Sequence, residues 1–506
     1  MTKLEPQTQE LINSIQKIIL DAPVTISFLP AVEKSLHFDA DLREMITKAK
    51  KKRSLGEYAL SFAILIEVLN TALSHAKSDD SLEIYVDALY AYGWSCQEME
   101  ELEKADLIFK NQLELAQTIK YLQGQANAYN GLGVVAHKRG AYSQSLNYYE
   151  DSLVIKKQLN DPIEIGTAYI NIATALWELG HYDMALDMLD QAKVIYNSLD
   201  QNREFHLAYV YGNASEVLRE KGEIAHALEE SIKCLQACVA GGIRGMSFVE
   251  FLQYNGRLWR TKGESEKALE LLLECEKRTH KLKVDKPDLL LDISQVLANM
   301  GQFKEAKNYL SKAENLVKTR KSSREWALYL FRCGELTNKQ RPDNYDVIQN
   351  YYSQAKELAD QSSFFKIRIQ ARLALARLYT ETGKLEDGLG EIDEALRTTQ
   401  IHSTFYLMIR CLSVKALILS TQFKFKAAYE TLDEAQSIIK KYLLDPALFE
   451  LRETKETINE SKLVNQLYDT VIHEFPSTQQ EQRKAALTMI YDYISKTIKQ
   501  ADELRR

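Results

Sequence analysis

The sequence predicts an all-α protein, an α-solenoid in which two-helix units stack along one axis. Three observations carry that reading. Turn positions recur at 56, 100, 140, 180, 222, 263, 301, 341, 383 and 423, separated by 38 to 44 residues, and a fixed period of that size belongs to stacked supersecondary units. Punctuation is sparse, with 8 prolines and 20 glycines in 506 residues, too few for a sandwich or barrel of many short strands. The composition, 45% hydrophobic and 27% charged, suits a chain with a large buried core, and no apolar run reaches the roughly 18 residues of a membrane span.

Residues 1–40 read as a capping helix or arm. An amphipathic helix covers Thr8–Leu20, a turn follows at Ala22-Pro23, and Val24–Pro30 is a more extended apolar piece. The arm covers the first repeat's apolar face or, alternatively, binds a partner or inhibits the chain itself. The run Lys48–Arg53 sits on a predicted helix, where a solvated charged face accounts for it.

Residues 41–445 hold about ten repeats. The template is ANAYNGLGVVAHKRGAYSQSLNYYEDSLVIKKQLND, residues 126–161, with a small residue at Gly133, a turn at Gly140, an aromatic at Tyr142 and then an apolar helix. The next copy places Ala173, Gly180, Tyr182, Ala185 and Ala192 in matching positions. Further copies turn at Gly222, Gly263, Gly301 and Gly383, and weaker ones at Gly56, near Glu100, in a loop with Pro342, and at Phe423.

A glycine inside a helix costs about 1 kcal/mol relative to alanine, so Gly131 and Gly133 need a reason. A two-helix unit has too little core to stand alone and must stack on its neighbours. Close approach of helix A to helix B leaves no room for a large side chain at the crossing. Gly133, Ala173, Gly256, Gly334 and Ala376 are read as notches, with Ala105, Ala185, Ala227, Ala268 and Ala306 fitting against them. Burial of apolar area at about 25 cal/mol per Å² offsets the propensity cost. The turn glycines supply the left-handed cap that ends each A helix.

This pattern resembles the tetratricopeptide repeat, over roughly residues 41–445. It departs from the usual form in a period about six residues above 34 and in lacking most of the proline near each repeat's end. In these respects it is similar to the long-period repeats of kinesin light chains and of peptide-sensing bacterial regulators. The resemblance implies a right-handed superhelix whose A helices line a concave groove, and it places Tyr90, Trp94, Gln97, Asn130, Val134, His137, Lys138, Asn171, Thr174, Trp177, Glu178, Tyr209, Asn213, Glu216, Arg219, Tyr254, Arg257, Arg260, Arg332, Glu335 and Arg377 on that wall.

Within it the peptide-binding candidates are Tyr90, Trp94, Asn130, His137, Asn171, Trp177, Tyr209, Asn213, Arg219, Tyr254, Arg257 and Arg260. Asparagine recurs beside the notch, and side-chain amides both donate to and accept from an extended backbone. In the families resembled, asparagines at these positions hold a peptide that way. Arg219, Arg257 and Arg260, joined by Arg244, suit an acidic or C-terminal carboxylate; pairing with Glu216, Glu220 and Glu250 is the alternative.

Residues 446–506 change pattern. A polar helix runs about 447–474, Phe475-Pro476 breaks it, and Ser477-Thr478-Gln479-Gln480 opens a last helix as a capping box. There Leu487, Ile490, Ile494, Thr497, Ala501 and Leu504 form a short coiled-coil seam, which folds back as a cap or makes a homodimer through 477–506.

No catalytic constellation is present: no phosphate loop, GxSxG, HExxH or paired CxxC. The chain therefore reads as no enzyme, with no cofactor and no metal. Cys96, Cys234, Cys238, Cys275, Cys333 and Cys411 lack a disulfide spacing and read as reduced and buried. His137, His181 and His226 lie in separate repeats without a second ligand. The cluster Gly241-Gly242-Ile243-Arg244-Gly245 reads as an elongated loop between repeats. Net charge is −7, which argues against a broad nucleic-acid surface, and the N-terminus lacks a signal-peptide pattern. The expectation is a cytoplasmic, non-catalytic scaffold holding a protein or peptide segment, without nucleic-acid or membrane partners. Its alternative is the sensory arm of a bacterial signalling protein, transmitting through the C-terminal helix to a cyclase or kinase output. A pheromone regulator would need an N-terminal effector for which residues 1–40 are too short.

Overall fold

The computed structural model describes residues 6–20, residues 40–441 with short breaks at 55–56, 75–78, 100, 283, 321, 362–363 and 403, and isolated positions between 451 and 462. Among the described residues there is no strand, and every regular element is helical. In chain order the helices are α1 (Pro6–Leu20), α2 (Ala40–Ser54), α3 (Tyr58–Ser74), α4 (Asp79–Glu98), α5 (Leu102–Thr118), α6 (Leu122–Lys138), α7 (Tyr142–Leu159), α8 (Pro162–Glu178), α9 (Tyr182–Asn197), α10 (Arg203–Lys221) and α11 (Ile224–Ala240). There follow α12 (Met246–Thr261), α13 (Ser265–Leu282), α14 (Pro287–Asn299), α15 (Phe303–Arg320), α16 (Ser323–Gln340), α17 (Tyr345–Asp360), α18 (Phe365–Glu381), α19 (Leu385–Ile401), α20 (Phe405–Thr421) and α21 (Phe425–Lys441). The chain forms two compact units, one running to Gln340 and including Leu358–Phe364, the other made of Arg341–Glu357 and the chain from Phe365 onward.

In the first unit α2/α3, α4/α5, α6/α7, α8/α9, α10/α11, α12/α13 and α14/α15 are tight antiparallel pairs, as are α18/α19 and α20/α21 in the second. The architecture is an α-solenoid of stacked helix pairs. Each of these nine pairs crosses at two small residues 12 positions apart: Ala49/Ser61, Gly93/Ala105, Gly133/Ser145, Ala173/Ala185, Ser215/Ala227, Gly256/Ala268, Ser294/Ala306, Ala376/Gly388 and Ala416/Ala428. Four of the crossings add a hydroxyl-to-carbonyl bond. Ser61 donates to Ala49 O at 2.9 Å, Ser145 to Gly133 O at 2.8 Å, Ser215 to Ala227 O at 2.9 Å and Ser294 to Ala306 O at 2.8 Å. Serine thus alternates between the two helices, which a reading confined to Gly and Ala overlooks.

The neighbouring glycines answer to two different side chains. A methyl group at Gly133 would stand 2.5 Å from Tyr149 Cε1, a ring on its own partner α7. One at Gly131 would stand 2.6 Å from the Phe109 ring of the preceding α5, which also fills the space at Gly93. Helix α6 is therefore notched on both sides, once for each flanking B helix.

The turns are equally uniform. At Gly140 the chain takes φ +77°, its N–H bonds to His137 O, and the next N–H, of Ala141, reaches back to Ala136 O. The same two bonds recur at Gly180, Gly222, Gly263, Gly301 and Gly383, and at Phe423, whose φ is +59°. This is the Schellman closure of a helix C terminus, in which a left-handed residue lets the last carbonyls be satisfied. Helix α8 starts as cleanly: Asp161 accepts from Ile163 N at 2.9 Å and Glu164 N at 3.2 Å, with Pro162 in the first turn.

Ile15 and Ile19 of α1 join the same buried cluster as Leu42, Leu65, Tyr85 and Tyr92. The extended piece at 24–30 and the seam at 487–504 lie outside the described residues.

A Gly133→Ala variant should lower stability by about 1–3 kcal/mol through overpacking against Tyr149, even though alanine is the better helix former. Gly390→Ala on α19, where the added methyl meets nothing within 4 Å, should instead gain up to about 1 kcal/mol. Urea unfolding of the two variants, followed by circular dichroism, reads both signs.

Candidate functional site

The twelve peptide-binding candidates lie on α4, α6, α8, α10 and α12 of the first unit, whereas of the other sequence-predicted wall residues Arg332 and Glu335 lie on α16 and Arg377 on α18 of the second unit. On each helix the functional side chains share a face because they sit three, four or seven apart. Examples are Glu216, Arg219 and Glu220 on α10, Gln253, Arg257 and Arg260 on α12, and Asp288, Asp292 and Gln295 on α14.

These residues bond sideways, one repeat to the next. Asn130 donates to Tyr90 OH at 3.1 Å, and Asn171 donates to Asn130 Oδ1 at 2.7 Å, linking α4, α6 and α8. Trp177 Nε1 donates to Glu220 at 2.9 Å and carries the chain on to α10. Lys138 donates to Gln97 O at 3.2 Å. Asparagine recurs because a side-chain amide both gives and takes in such a ladder, so Asn130 is occupied at both ends. Asn213 donates to Tyr209 O at 2.8 Å within its own helix, and Tyr209 OH meets Ser247 Oγ at 2.9 Å. The amide oxygens of Asn171 and Asn213 accept no bond among the described residues, and both side chains are half-buried.

The aromatics are packed as well as lined up. Tyr90 meets Trp94 edge-on at 6.1 Å, with Arg53 5.8 Å above the Trp94 ring. Trp177 and Tyr254 meet at 6.5 Å, and His137 lies edge-on to Tyr142 at 5.2 Å. Burial pushes the Tyr254 phenol well above its ordinary range.

The arginines divide. Arg219 pairs with Glu216 and with Glu220 at 3.2 Å, and Arg257 pairs with Glu216 at 3.5 Å, Asp288 at 3.2 Å and Asp292 at 2.6 Å. These two guanidiniums are matched by local carboxylates, so their reading as ligand anchors gives way to the alternative. Glu216 and Glu220 were named for that role from sequence. Asp288 and Asp292 were not, because they come from α14, 31 and 35 residues beyond Arg257, and neither was Gln253 on α12 itself. Burial alone would raise the Asp292 carboxyl, but Arg257, Arg260 and a hydrogen bond from Gln253 hold it at about 2. Arg260 differs: its nearest carboxylate oxygen, on Asp292, is 3.8 Å away, and it makes no hydrogen bond among the described residues.

Arg324, which sequence reasoning missed, joins distant parts of the unit. From the first turn of α16 its Nη2 reaches Glu178 Oε1 at the end of α8, at 3.0 Å and 146 residues away, with its guanidinium over Tyr142. Each charge sits at the unfavourable end of its own helix dipole, and the pairing supplies the compensation. Phe364 packs against the Gly140 turn on the same side of the unit.

The cysteines are buried and free, and at least two are structural donors: Cys234 to Ala208 O at 3.3 Å and Cys275 to Val249 O at 3.5 Å. Ser152 makes the equivalent bond to Ala126 O at 2.8 Å. Among the described residues no group of three His, Cys, Asp or Glu could hold a metal, and no helix is long and apolar enough to cross a membrane.

Comparison with known proteins agrees with this geometry. Residues 124–198 and 287–316 each match the tetratricopeptide repeat family. The Protein FLUORESCENT IN BLUE LIGHT, chloroplastic, of Arabidopsis thaliana is 36% identical over 86 residues, which are 17% of this chain and 27% of that protein. The chain thus spans about a quarter of that relative's length. Similar solved structures include the apo form of the quorum sensor NprR from B. thuringiensis (15% identity, 72% of this chain, 100% of that one, TM-score 0.47) and aspartyl phosphate phosphatase F from Bacillus subtilis (12%, 73% and 96%, TM-score 0.45). Fold, notches and turns define a repeat scaffold of the protein-interaction kind. Residues 124–198 and 287–316 of the chain are tetratricopeptide repeats, set within the longer run of helix pairs.

Replacing Arg324 with Ala should lower stability by about 1 kcal/mol, since the arginine is partly exposed. Hydrogen exchange in the intact chain should speed up at the last turn of α8 and the first of α16 together, while α12 stays unchanged. Acceleration in α16 alone would show that the contact does not couple the two.

Proposed function

We propose that the inner wall of the first unit is a non-catalytic receptor for an extended peptide or protein segment, and that the chain works in the cytoplasm. The supporting observation is the wall itself: half-buried amides on Asn171 and Asn213, one repeat apart, each holding an open acceptor, flanked by Tyr90, Trp94, Trp177, Tyr209 and Tyr254. An extended backbone offers N–H donors at regular intervals, and aromatic faces offer apolar contact between them. Tyr90 and Asn130 hold the amide ladder in register, while His137, Arg219 and Arg257 shape the wall through contacts within the protein. An acidic or C-terminal group on the segment is the class of end that the arginine-rich stretch of α12 would favour. In the alternative, the same wall is the sensing surface of a signalling arm, and a homodimer through 477–506 would transmit its state.

The experiment is affinity selection. A pool of random hexapeptides is passed over the immobilised intact chain and the retained fraction is measured by mass spectrometry. The Asn171→Ala/Asn213→Ala double variant should retain roughly 5- to 150-fold less, from two lost hydrogen bonds of about 0.5–1.5 kcal/mol each. Equal retention by a double variant with unchanged circular dichroism would remove the groove reading.

A further inference from the structure

Two positions recur in the groove between neighbouring B helices: the fourth before the A-helix crossing and the third after the B-helix crossing. Between α5 and α7 they are Tyr129 and Tyr148, whose rings lie 6.4 Å apart. Between α7 and α9, Tyr169 lies 5.3 Å from the Lys157 ammonium, and between α9 and α11, Tyr211 lies 5.4 Å from that of Lys193. Between α13 and α15, Tyr309 donates to Glu276 at 2.7 Å. All five phenol rings are half-buried. In the second unit the groove between α17 and α19 is filled by charge instead, with Glu391 bridging Arg372 and Lys356 at 2.7 Å each.

The groove between α19 and α21 holds neither filling. Its two positions are Leu412 and Thr431, both buried, and the space stays open as a cavity of about 370 Å³ lined by α19, α20 and α21. Small-ligand sites span about 300–1,000 Å³. The lining divides by polarity. Leu396, Leu412 and Thr431 make a buried floor, while Lys415, bonded to Asp393 at 2.9 Å, and the exposed Glu434 stand around it. Glu434 makes no hydrogen bond or ion pair among the described residues.

This lining offers a ring what the other grooves give their own tyrosines. Leu396 and Leu412 supply apolar contact, the Lys415 ammonium can meet a ring face, and Glu434 can accept from a hydroxyl as Glu276 accepts from Tyr309. A purely aliphatic group would leave the carboxylate without a partner, and a charged one would meet both signs at once. We propose that the α19–α21 groove is a binding site for a para-substituted phenol, with its ring on Leu396, Leu412 and Thr431 and its hydroxyl donating to Glu434. That chemistry belongs to a tyrosine side chain presented by a polypeptide and to a small free phenol. The site is independent of the inner wall of the first unit.

The test uses the intact chain and saturation-transfer NMR with three probes: p-cresol, an end-blocked pentapeptide with a central tyrosine among glycines, and its phenylalanine counterpart. The tyrosine peptide should bind about fivefold more tightly than the phenylalanine one, the worth of one hydrogen bond. Either outcome with p-cresol then fixes the source: binding as tight as the peptide's assigns the site to free phenols, and weaker binding assigns it to a tyrosine on a polypeptide. Thr431→Tyr places a ring of the chain's own in the space, as Tyr148 and Tyr309 do elsewhere, and should abolish binding of every probe, whereas Thr431→Ser should leave it unchanged. Undiminished binding to a Thr431→Tyr variant with native circular dichroism overturns the site, as does equal binding of the two peptides or no binding of any probe. If Thr431→Tyr fails to fold, Glu434→Ala decides: the tyrosine peptide must fall to the level of the phenylalanine one, and a preference that persists overturns the site.

Discussion

The close crossing of helix A on helix B is the constraint on which the rest of this protein depends. Wherever the two helices of a pair meet, residues seven before and five after the turn are Gly, Ala or Ser, and a larger side chain there would push the helices apart. The serine crossings show how such contact is stabilised without apolar bulk: the hydroxyl is buried, but it donates to the carbonyl of the facing helix and so incurs no desolvation penalty. The Schellman turn then sets the angle at which the second helix leaves. Since the same two devices recur in pair after pair, small local choices add up to a regular stack.

Regular stacking has a consequence for chemistry. It brings the inner face of each A helix beside that of the next, so residues about 40 apart in sequence become side-chain neighbours. Tyr90, Asn130 and Asn171 bond across that spacing, as do Trp177 with Glu220 and Gln295 with Glu335. A wall built this way is cross-braced, because several of its amides and carboxylates are held by the repeat beside them. What remains after internal bonding includes the amide oxygens of Asn171 and Asn213, which accept no bond among the described residues.

The buried charges follow the same rule. Glu216 is fully buried and lies between Arg219 and Arg257, and Asp292 is shared by Arg257 and Gln253. Breaking one member of such a set leaves the others desolvated and unpaired, which costs far more than the pair contributes. These residues hold the wall in place.

The fold was legible in the sequence because its determinants are local and repeated. Glycine at 140, 180, 222, 263, 301 and 383 is needed at a left-handed turn, and small residues at 133, 173, 256 and 376 are needed at a crossing, so both leave a periodic trace. The candidate wall was legible as far as its helix faces, since positions beside the notch share a face by helical spacing alone. Which groups on it are free was not. Arg219, Arg257 and Arg260 are alike as residues, yet Arg219 pairs with Glu216 and Glu220 on its own helix, Arg257 pairs with Asp288 and Asp292 brought over from α14, and Arg260 meets Asp292 only at 3.8 Å. Likewise nothing local marks Arg324 as the partner of Glu178, 146 residues away. Side-chain size and turn conformation are properties of single residues and are written along the chain. Charge compensation is a property of residues that meet in space, so it was decided only when the stack formed.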